Sequence, residues 1–178
     1  MQIRTQRLTL YAATLEHVRT ELENPAALTV LLGAEVSAAW PSGEYDRDAM
    51  EFFRSRFEEE GAEAEGWYGW YAVREGDLEG PRALVGAGGY LGPPDPSGVV
   101  EIGFSILSEW QRRGYASEIV EALVTHAFAQ PGVTQVIAHT TVSNVASVAV
   151  LTRCGFQPVG SGSQPESIRF ERLASGSS

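Results

Sequence analysis

Lysine is absent from this sequence: all 13 basic side chains among its 178 residues are arginines, set against 23 Asp and Glu for a formal charge of −10. Without lysine there is no amine nucleophile, no Schiff-base residue and no phosphate-gripping Walker lysine. The acidity also excludes a broad grip on nucleic-acid backbones, where affinity comes from many cationic contacts. Cysteine is nearly absent too, since Cys154 stands alone with no internal partner for a disulfide. Histidine is scarce: His17, His126 and His139 are widely separated, so no metal site is expected. Long apolar runs are missing, because the stretches 119–129 and 145–151 fall short of the roughly 20 residues of a membrane span. The first ten residues carry two arginines in place of an apolar signal core. The expectation is a soluble, cytoplasmic protein with neither nucleic acid nor membrane as partner.

What is present is enough for one core. At 43% hydrophobic, the chain reads as a single domain over residues 1–173, followed by a tail, 174–178, whose Ala-Ser-Gly-Ser-Ser composition cannot bury anything and is expected to be disordered. Alternation of Leu8 and Leu10 with polar neighbours predicts an opening strand over Arg7–Tyr11. Thr14 is placed to cap a helix through Leu22, Pro25 to start one that Gly33 stops, and Asp46 to start a third carrying Met50, Phe53 and Phe57 on one stripe.

From Trp67 the period becomes two. Tyr68–Arg74, Ala83–Leu91 and Val99–Leu107 predict three strands joined by Gly- and Pro-rich turns, an antiparallel meander. A long amphipathic helix over Tyr115–Ala129 follows, then a strand (Gln135–Thr140), a helix (Asn144–Arg153) and two strands (Phe156–Val159 and Ser167–Leu173). A meander followed by strand, helix, strand implies an α+β fold: a mixed sheet with helices on its faces.

The chemistry concentrates between Glu101 and Ala116. After a strand and Glu109-Trp110 comes Gln111-Arg112-Arg113-Gly114-Tyr115-Ala116, leading into the long helix. Small residues at 114 and 116 leave room for close approach to backbone N–H groups at a helix N-terminus, which is an anion site suited to a pyrophosphate. Arg112 and Arg113 add positive charge in an otherwise acidic chain. The plainer reading is that both arginines are solvated and Gly114 only opens the helix.

The pattern Gln-x-x-Gly-x-Ala after an antiparallel strand resembles the acyl-coenzyme A loop of the GNAT acetyltransferase superfamily. A second block, Ile137-Ala138-His139-Thr140 followed by Asn144, Ser147, Val150-Leu151 and Gly155-Phe156, is similar to the pantetheine slot of its Rim-type ribosomal-protein N-terminal acetyltransferases, and Thr5, Arg7-Leu8 and Leu10 resemble that subgroup's opening. The likeness spans residues 5 to 173. It implies a mostly antiparallel sheet with helices on both faces, and an acetyl-CoA-dependent N-acetyltransferase acting by direct attack of a primary amine, on a protein N-terminus or a small molecule. The amides from Arg112 to Ala116, with Gln111, Gly114 and Tyr115, would hold the pyrophosphate; Ile106 and Leu107 would offer backbone groups to the pantetheine arm. Asn144 would hold cofactor or cap its helix. A homodimer is compatible with the resemblance.

Glu101 is the candidate base. Strand alternation puts Val100, Ile102, Phe104 and Ile106 on a core face and Glu101, Gly103 and Ser105 on a polar one, where a carboxylate can take a proton from a substrate ammonium, directly or through water. The structural alternative is an exposed Glu101 paired with an arginine across the sheet. The family's usual tyrosine acid, seven residues after the helix asparagine, is replaced by Leu151, leaving Ser147, one turn after Asn144, to hydrogen-bond the leaving thiolate or relay a proton to it from water. Cys154 is expected to pack rather than react. Trp40, Trp67, Tyr68, Trp70 and Tyr90 read mostly as core, and the acidic run Glu58, Glu59, Glu60, Glu63 and Glu65 as a solvated face or a lure for cationic acceptors. Two rivals stand beside the enzyme reading: a non-catalytic acyl-CoA sensor, and a nucleotide-binding regulatory domain, which the missing G-x-G-x-x-G and Walker lysine disfavour.

Overall fold

The change of period in the sequence is a change of structure in the chain. The computed structural model describes residues 1–43 and 45–176. Strands β1 (Gln2–Arg4) and β2 (Leu8–Ala12) lead into helices α1 (Leu15–Glu23), α2 (Leu28–Leu32) and α3 (Arg47–Glu60). The sequence pattern does not announce β1. It is three residues long and exists by pairing, with Ile3 opposite Leu10. The caps are where the sequence puts them. Thr14 accepts from the His17 amide while the His17 ring accepts from the Thr14 amide, a reciprocal capping box with histidine in the usual Glu/Gln position. Asp46 accepts from the Ala49 amide at 3.0 Å. The predicted helix over Pro25–Leu32 divides into a 3-10 turn at Pro25–Ala27 and α2, which stops at left-handed Gly33.

The rest of the chain is β3 (Gly69–Arg74), β4 (Ala83–Tyr90), β5 (Val99–Ile106), α4 (Tyr115–Phe128), β6 (Gln135–Thr141), α5 (Val145–Arg153), β7 (Gln157–Ser161) and β8 (Ser167–Leu173). Among the described residues eight strands form one sheet in the order β1-β2-β3-β4-β5-β6-β8-β7. Every junction is antiparallel except β5–β6, which is parallel and is crossed over by α4.

Alternation along the strands sorts side chains into two cores. Leu8, Leu10, Trp70, Ala72, Val100 and Ile102 pack beneath Ile119 and Leu123 of α4 and Leu151 of α5. On the other face Tyr71, Val73, Leu84 and Ala87 meet Val18, Phe53 and Phe57 of α1 and α3. Each fully buried side chain of this size contributes about 1.5–3 kcal/mol. Gly88 sets how closely α4 approaches: a Cβ there would lie 2.8 Å from Ile119 Cγ2 and 2.9 Å from Leu123 Cδ1. Helices therefore cover both faces, but the strand residues of the second core come from β3 and β4. Over β5, β6 and β8 that face is open, and the opening becomes a pocket. The aromatics Trp40, Tyr68, Trp70 and Tyr90 are buried. Of the expected tail, Ala174 is tied down by its N–H to the Thr134 carbonyl at 3.0 Å, and Ser177 and Ser178 lie outside the described residues. No helix among the described residues is long and apolar enough to cross a membrane.

Candidate active site

β5 and β6 begin side by side and then part. Their pairing runs from Val99 opposite Gln135 to Ile102 opposite Ala138 and stops there. Beyond that point β5 stays on β4 as far as Ile106, and β6 stays on β8 as far as Thr141. The Glu101 carbonyl accepts from the Leu91 amide and the Leu107 amide donates to the Val85 carbonyl, so the odd-numbered backbone groups of β5 face β4. The amides of Phe104 and Ile106 consequently face the gap, without a strand partner there.

A groove of about 600 Å³ runs through the fork, bordered by Ile106, Leu107, Gln111, Arg112, Gly114, Tyr115 and Ala116 on one side and Asn144, Ser147, Leu151 and Arg153 on the other. Leu107 is placed differently from expectation. Its N–H is already bonded to Val85 and its carbonyl accepts from Trp110, so Phe104 joins Ile106 as the source of free amides. Arg153, which the sequence reading passed over, enters the groove from the last turn of α5, and its only sequence signal is a cation at a helix C-terminus.

The loop entering α4 is held from below. Glu118 accepts from the Thr5 hydroxyl, the Arg7 amide and the Arg7 guanidinium, and Arg7 Nη1 donates to the Arg113 carbonyl at 2.8 Å. Burial pushes the Glu118 carboxyl up, but the hydrogen bonds from Thr5 and Arg7 outweigh it and hold the group below the usual glutamate range. Gln111 Nε2 donates to the Ile106 carbonyl at 3.2 Å, joining loop to strand. The amides of Arg112 through Ser117 have no backbone partner among the described residues, and α4 has no side-chain cap. Arg112 (φ 61) and Gly114 (φ 83) are left-handed on either side of Arg113, the alternation that gathers successive amides into an anion-binding nest. At 114 a Cβ would also sit 3.1 Å from Arg7 Nη2, which favours glycine twice over. Arg112 borders the groove, whereas Arg113 turns its guanidinium onto the Trp110 ring, 5.0 Å from the centroid.

On the other side of the fork lies a pocket of about 460 Å³, lined by Tyr45 and Phe53, by β4 from Ala87 to Tyr90, and by Glu101, His139, Thr141, Gln164 and Ser167. Groove and pocket share Ile102, Gly103, Phe104, Ser105, His139 and Thr140, so they meet where the strands part. Glu101 lines the pocket, as strand alternation predicts, but its partner is not an arginine. Its Oε1 lies 2.7 Å from His139 Nδ1, and both side chains are partly shielded, 31% and 19% exposed. His139 is the member of the site that sequence reasoning left without a role.

The pocket wall rests on a buried acid. Glu21, 2% exposed, accepts from Trp40 Nε1, from the Tyr45 hydroxyl at 2.8 Å and from the Tyr71 hydroxyl at 2.6 Å. Burial pushes its carboxyl above the usual range despite those three donors. Ser105 on β5 donates to the Ser42 carbonyl at 2.6 Å, which lays residues 40–43 across the strand. The acidic run is largely matched by cations: Glu58 pairs with Arg19, Glu59 with Arg56 and Glu65 with the N-terminal ammonium. Asn144 caps α5 by accepting from the Ser147 amide at 3.1 Å. Cys154 is buried, and burial raises its thiol to about 11, which suits packing rather than attack.

A mixed sheet forked at its one parallel junction, with a glycine-entered helix beginning beside the fork, is the acyl-CoA N-acyltransferase fold. The chain belongs to the GNAT acetyltransferase family: the model described as "Acetyltransferase (GNAT) domain" matches residues 7–157. It is 30% identical over 125 residues, 70% of this chain and 71% of the relative, to the uncharacterized N-acetyltransferase YjdG of Bacillus subtilis. Its fold is similar to that of the ribosomal-protein-S5-alanine acetyltransferase of Vibrio fischeri (TM-score 0.68, 15% identity, 99% and 98% of the two chains covered). It is similar also to the RimL ribosomal L7/L12 alpha-N-protein acetyltransferase solved with coenzyme A (TM-score 0.67, 19% identity, 97% and 98% covered). The protein is thus an enzyme of the GNAT N-acetyltransferase type, a family that takes its acetyl group from acetyl-CoA.

Proposed function

We propose that this enzyme binds acetyl-CoA in the groove and acetylates a primary amine, from a protein N-terminus or a small molecule, presented from the pocket. The observation that carries the reading is the meeting of two unlike cavities at the fork, one rimmed by free amides, the other by a carboxylate and an imidazole. The residues fit the cosubstrate. The amides of Arg112 to Ala116 suit its pyrophosphate, with the α4 dipole adding about 0.3–1 kcal/mol, and Phe104 and Ile106 offer partners to pantetheine amides. Arg112 and Arg153 supply positive charge to the groove.

The chemistry is direct attack. The Glu101–His139 pair takes a proton from the substrate ammonium, and the freed amine attacks the thioester carbon. With Leu151 where the family tyrosine stands, Ser147, one of several hydroxyls bordering the groove, is the one assigned to hydrogen-bond the departing sulfur. Placement of amine and thioester together carries most of the rate, worth about 7–11 kcal/mol in favourable cases. The single unpaired thiol and the absence of disulfides fit a cytoplasmic setting.

The test is release of free thiol from acetyl-CoA with a panel of amines, dialanine, and peptides beginning with alanine or serine. Turnover with any of them is the expected result. Leu151 gives one specific reason to keep a second reading, a non-catalytic acyl-CoA sensor. Tight binding of acetyl-CoA with no product across the panel is the result that would replace the first reading by the second.

A further inference from the structure

Glu101 and His139 are joined by one hydrogen bond, but they do not occupy equivalent places. Glu101 borders the acceptor pocket alone, whereas His139 borders both the pocket and the groove. Of the two, the imidazole stands at the junction where amine and thioester must meet. A carboxylate only accepts hydrogen bonds, so at 2.7 Å from Nδ1 it selects the tautomer with hydrogen on Nδ1 and leaves Nε2 with a free lone pair. Among the described residues Nε2 has no hydrogen-bond partner. Gly162 leaves room for the ring, since a Cβ at 162 would lie 2.9 Å from His139 Cδ2.

Resting on the acetyl-transfer reading, we infer that His139 Nε2 is the atom that accepts the proton from the incoming ammonium, and that Glu101 is the positioning residue that holds the imidazole and stabilises its charged form. An imidazole ionises near 6.5 and a glutamate near 4.3, so the imidazole is the better matched base at neutral pH. The step balances simply. One ammonium proton moves to Nε2; the amine nitrogen bonds to the acyl carbon; the C–S bond breaks with its electron pair on sulfur. Sulfur takes the second proton lost by nitrogen, and the imidazolium returns its own to water.

Other charges reach the same pair. Across β8, Arg169 is the register partner of His139 and opposes its protonation, while Glu171 lies opposite Ile137 on that face and favours it. Across the pocket stands Tyr45, whose hydroxyl burial keeps neutral. From β5 comes Glu101 itself. Removing the Glu101 charge therefore takes away the carboxylate that is hydrogen-bonded to the ring.

The experiment is the pH profile of kcat and kcat/KM for wild type, His139→Gln and Glu101→Gln, using acetyl-CoA and the best acceptor of the peptide and amine panel. Melting temperature and acetyl-CoA affinity of each variant serve as controls on folding. Wild type is expected to show an acidic limb. His139→Gln is expected to lose about 10²- to 10⁴-fold in kcat, together with that limb, at an acetyl-CoA affinity within about twofold of wild type. Glu101→Gln keeps a hydrogen-bond acceptor and is expected to retain the limb, with a smaller loss of kcat than His139→Gln. A His139→Gln enzyme that keeps both limb and rate, while Glu101→Gln loses them, overturns the inference and makes Glu101 the direct base. Wild type that binds acetyl-CoA and acetylates nothing in the panel overturns the acetyl-transfer reading itself, and this inference with it.

Discussion

The two sides of the fork are made of different material. The groove is built from backbone: amides at the start of α4, amides on the free edge of β5, and a glycine at φ 83 that lets the chain turn. Its free amides lie within the short run 104–117, and the loop that carries most of them is braced by Thr5 and Arg7 on Glu118. The pocket is built from side chains drawn from every third of the chain. Tyr45, held by the buried Glu21 that also accepts from Trp40 and Tyr71, sets one wall, and Glu101 and His139, on neighbouring parallel strands, set another. A backbone site tolerates change in the side chains around it. A side-chain site shifts when any one supporter changes, so under the proposed function acceptor preference would be the freer variable and coenzyme A recognition the fixed one.

That contrast can be broken, and the largest effect should come from Glu21. Glu21→Ala removes the acceptor shared by three buried donors, leaving Trp40 Nε1 and the Tyr71 hydroxyl unpaired and Tyr45 with only a 3.4 Å contact to Tyr71, which costs roughly 3 kcal/mol. For a domain of this size the melting temperature should fall by about 6–12 °C. Acceptor KM should rise while acetyl-CoA affinity measured by calorimetry on the folded variant stays near wild type; an equal loss on both sides would mean that the two cavities are not independent. Gly114→Val is the converse. Forcing a branched residue into a left-handed conformation costs about 1–2 kcal/mol, so acetyl-CoA should bind about tenfold more weakly with acceptor KM unchanged.

Glu118→Gln should cost about 1 kcal/mol or less, because Arg7 is partly exposed and the pair is screened. Its pH signature has a definite sign. The folded carboxyl lies below its unfolded value, so its stabilisation is complete above the ordinary glutamate range and drains away as pH falls through the folded value. Acid melting curves of wild type and Glu118→Gln should therefore converge at low pH. The smallest effect is expected at the acidic rim. Glu58→Gln and Glu59→Gln remove charges already paired with Arg19 and Arg56, and should leave both melting temperature and the salt dependence of acceptor KM unaltered; a flattened salt dependence would show that the rim steers cations.

Much of the groove could be read before any coordinates. The turn and helix entry at Gly114, the caps Thr14 and Asp46, and the polar face of Glu101 all depend on residues within a few positions of one another. Leu107 shows the limit of that reading. Strand position put it beside Ile106, yet which of two neighbouring amides faces the gap depends on which one β4 has already engaged. Glu101 shows it again. Alternation gave its face correctly but not its neighbour, because His139 arrives on a strand 38 residues later in the chain, in parallel register. The buried Glu21 left still less trace, since a glutamate on an amphipathic helix reads as solvated until Trp40, Tyr45 and Tyr71 are seen around it.

By itself, then, the sequence determined the elements and the glycine turn that opens α4, because capping, turn conformation and strand or helix period are short-range properties of a chain. Only the tertiary structure decided that β5 and β6 part after Ile102 and Ala138, that Glu101 meets His139, and that Glu21 holds the pocket wall. Those outcomes depend on hydrogen-bond register between distant strands and on which polar groups are left to satisfy one another once water is excluded.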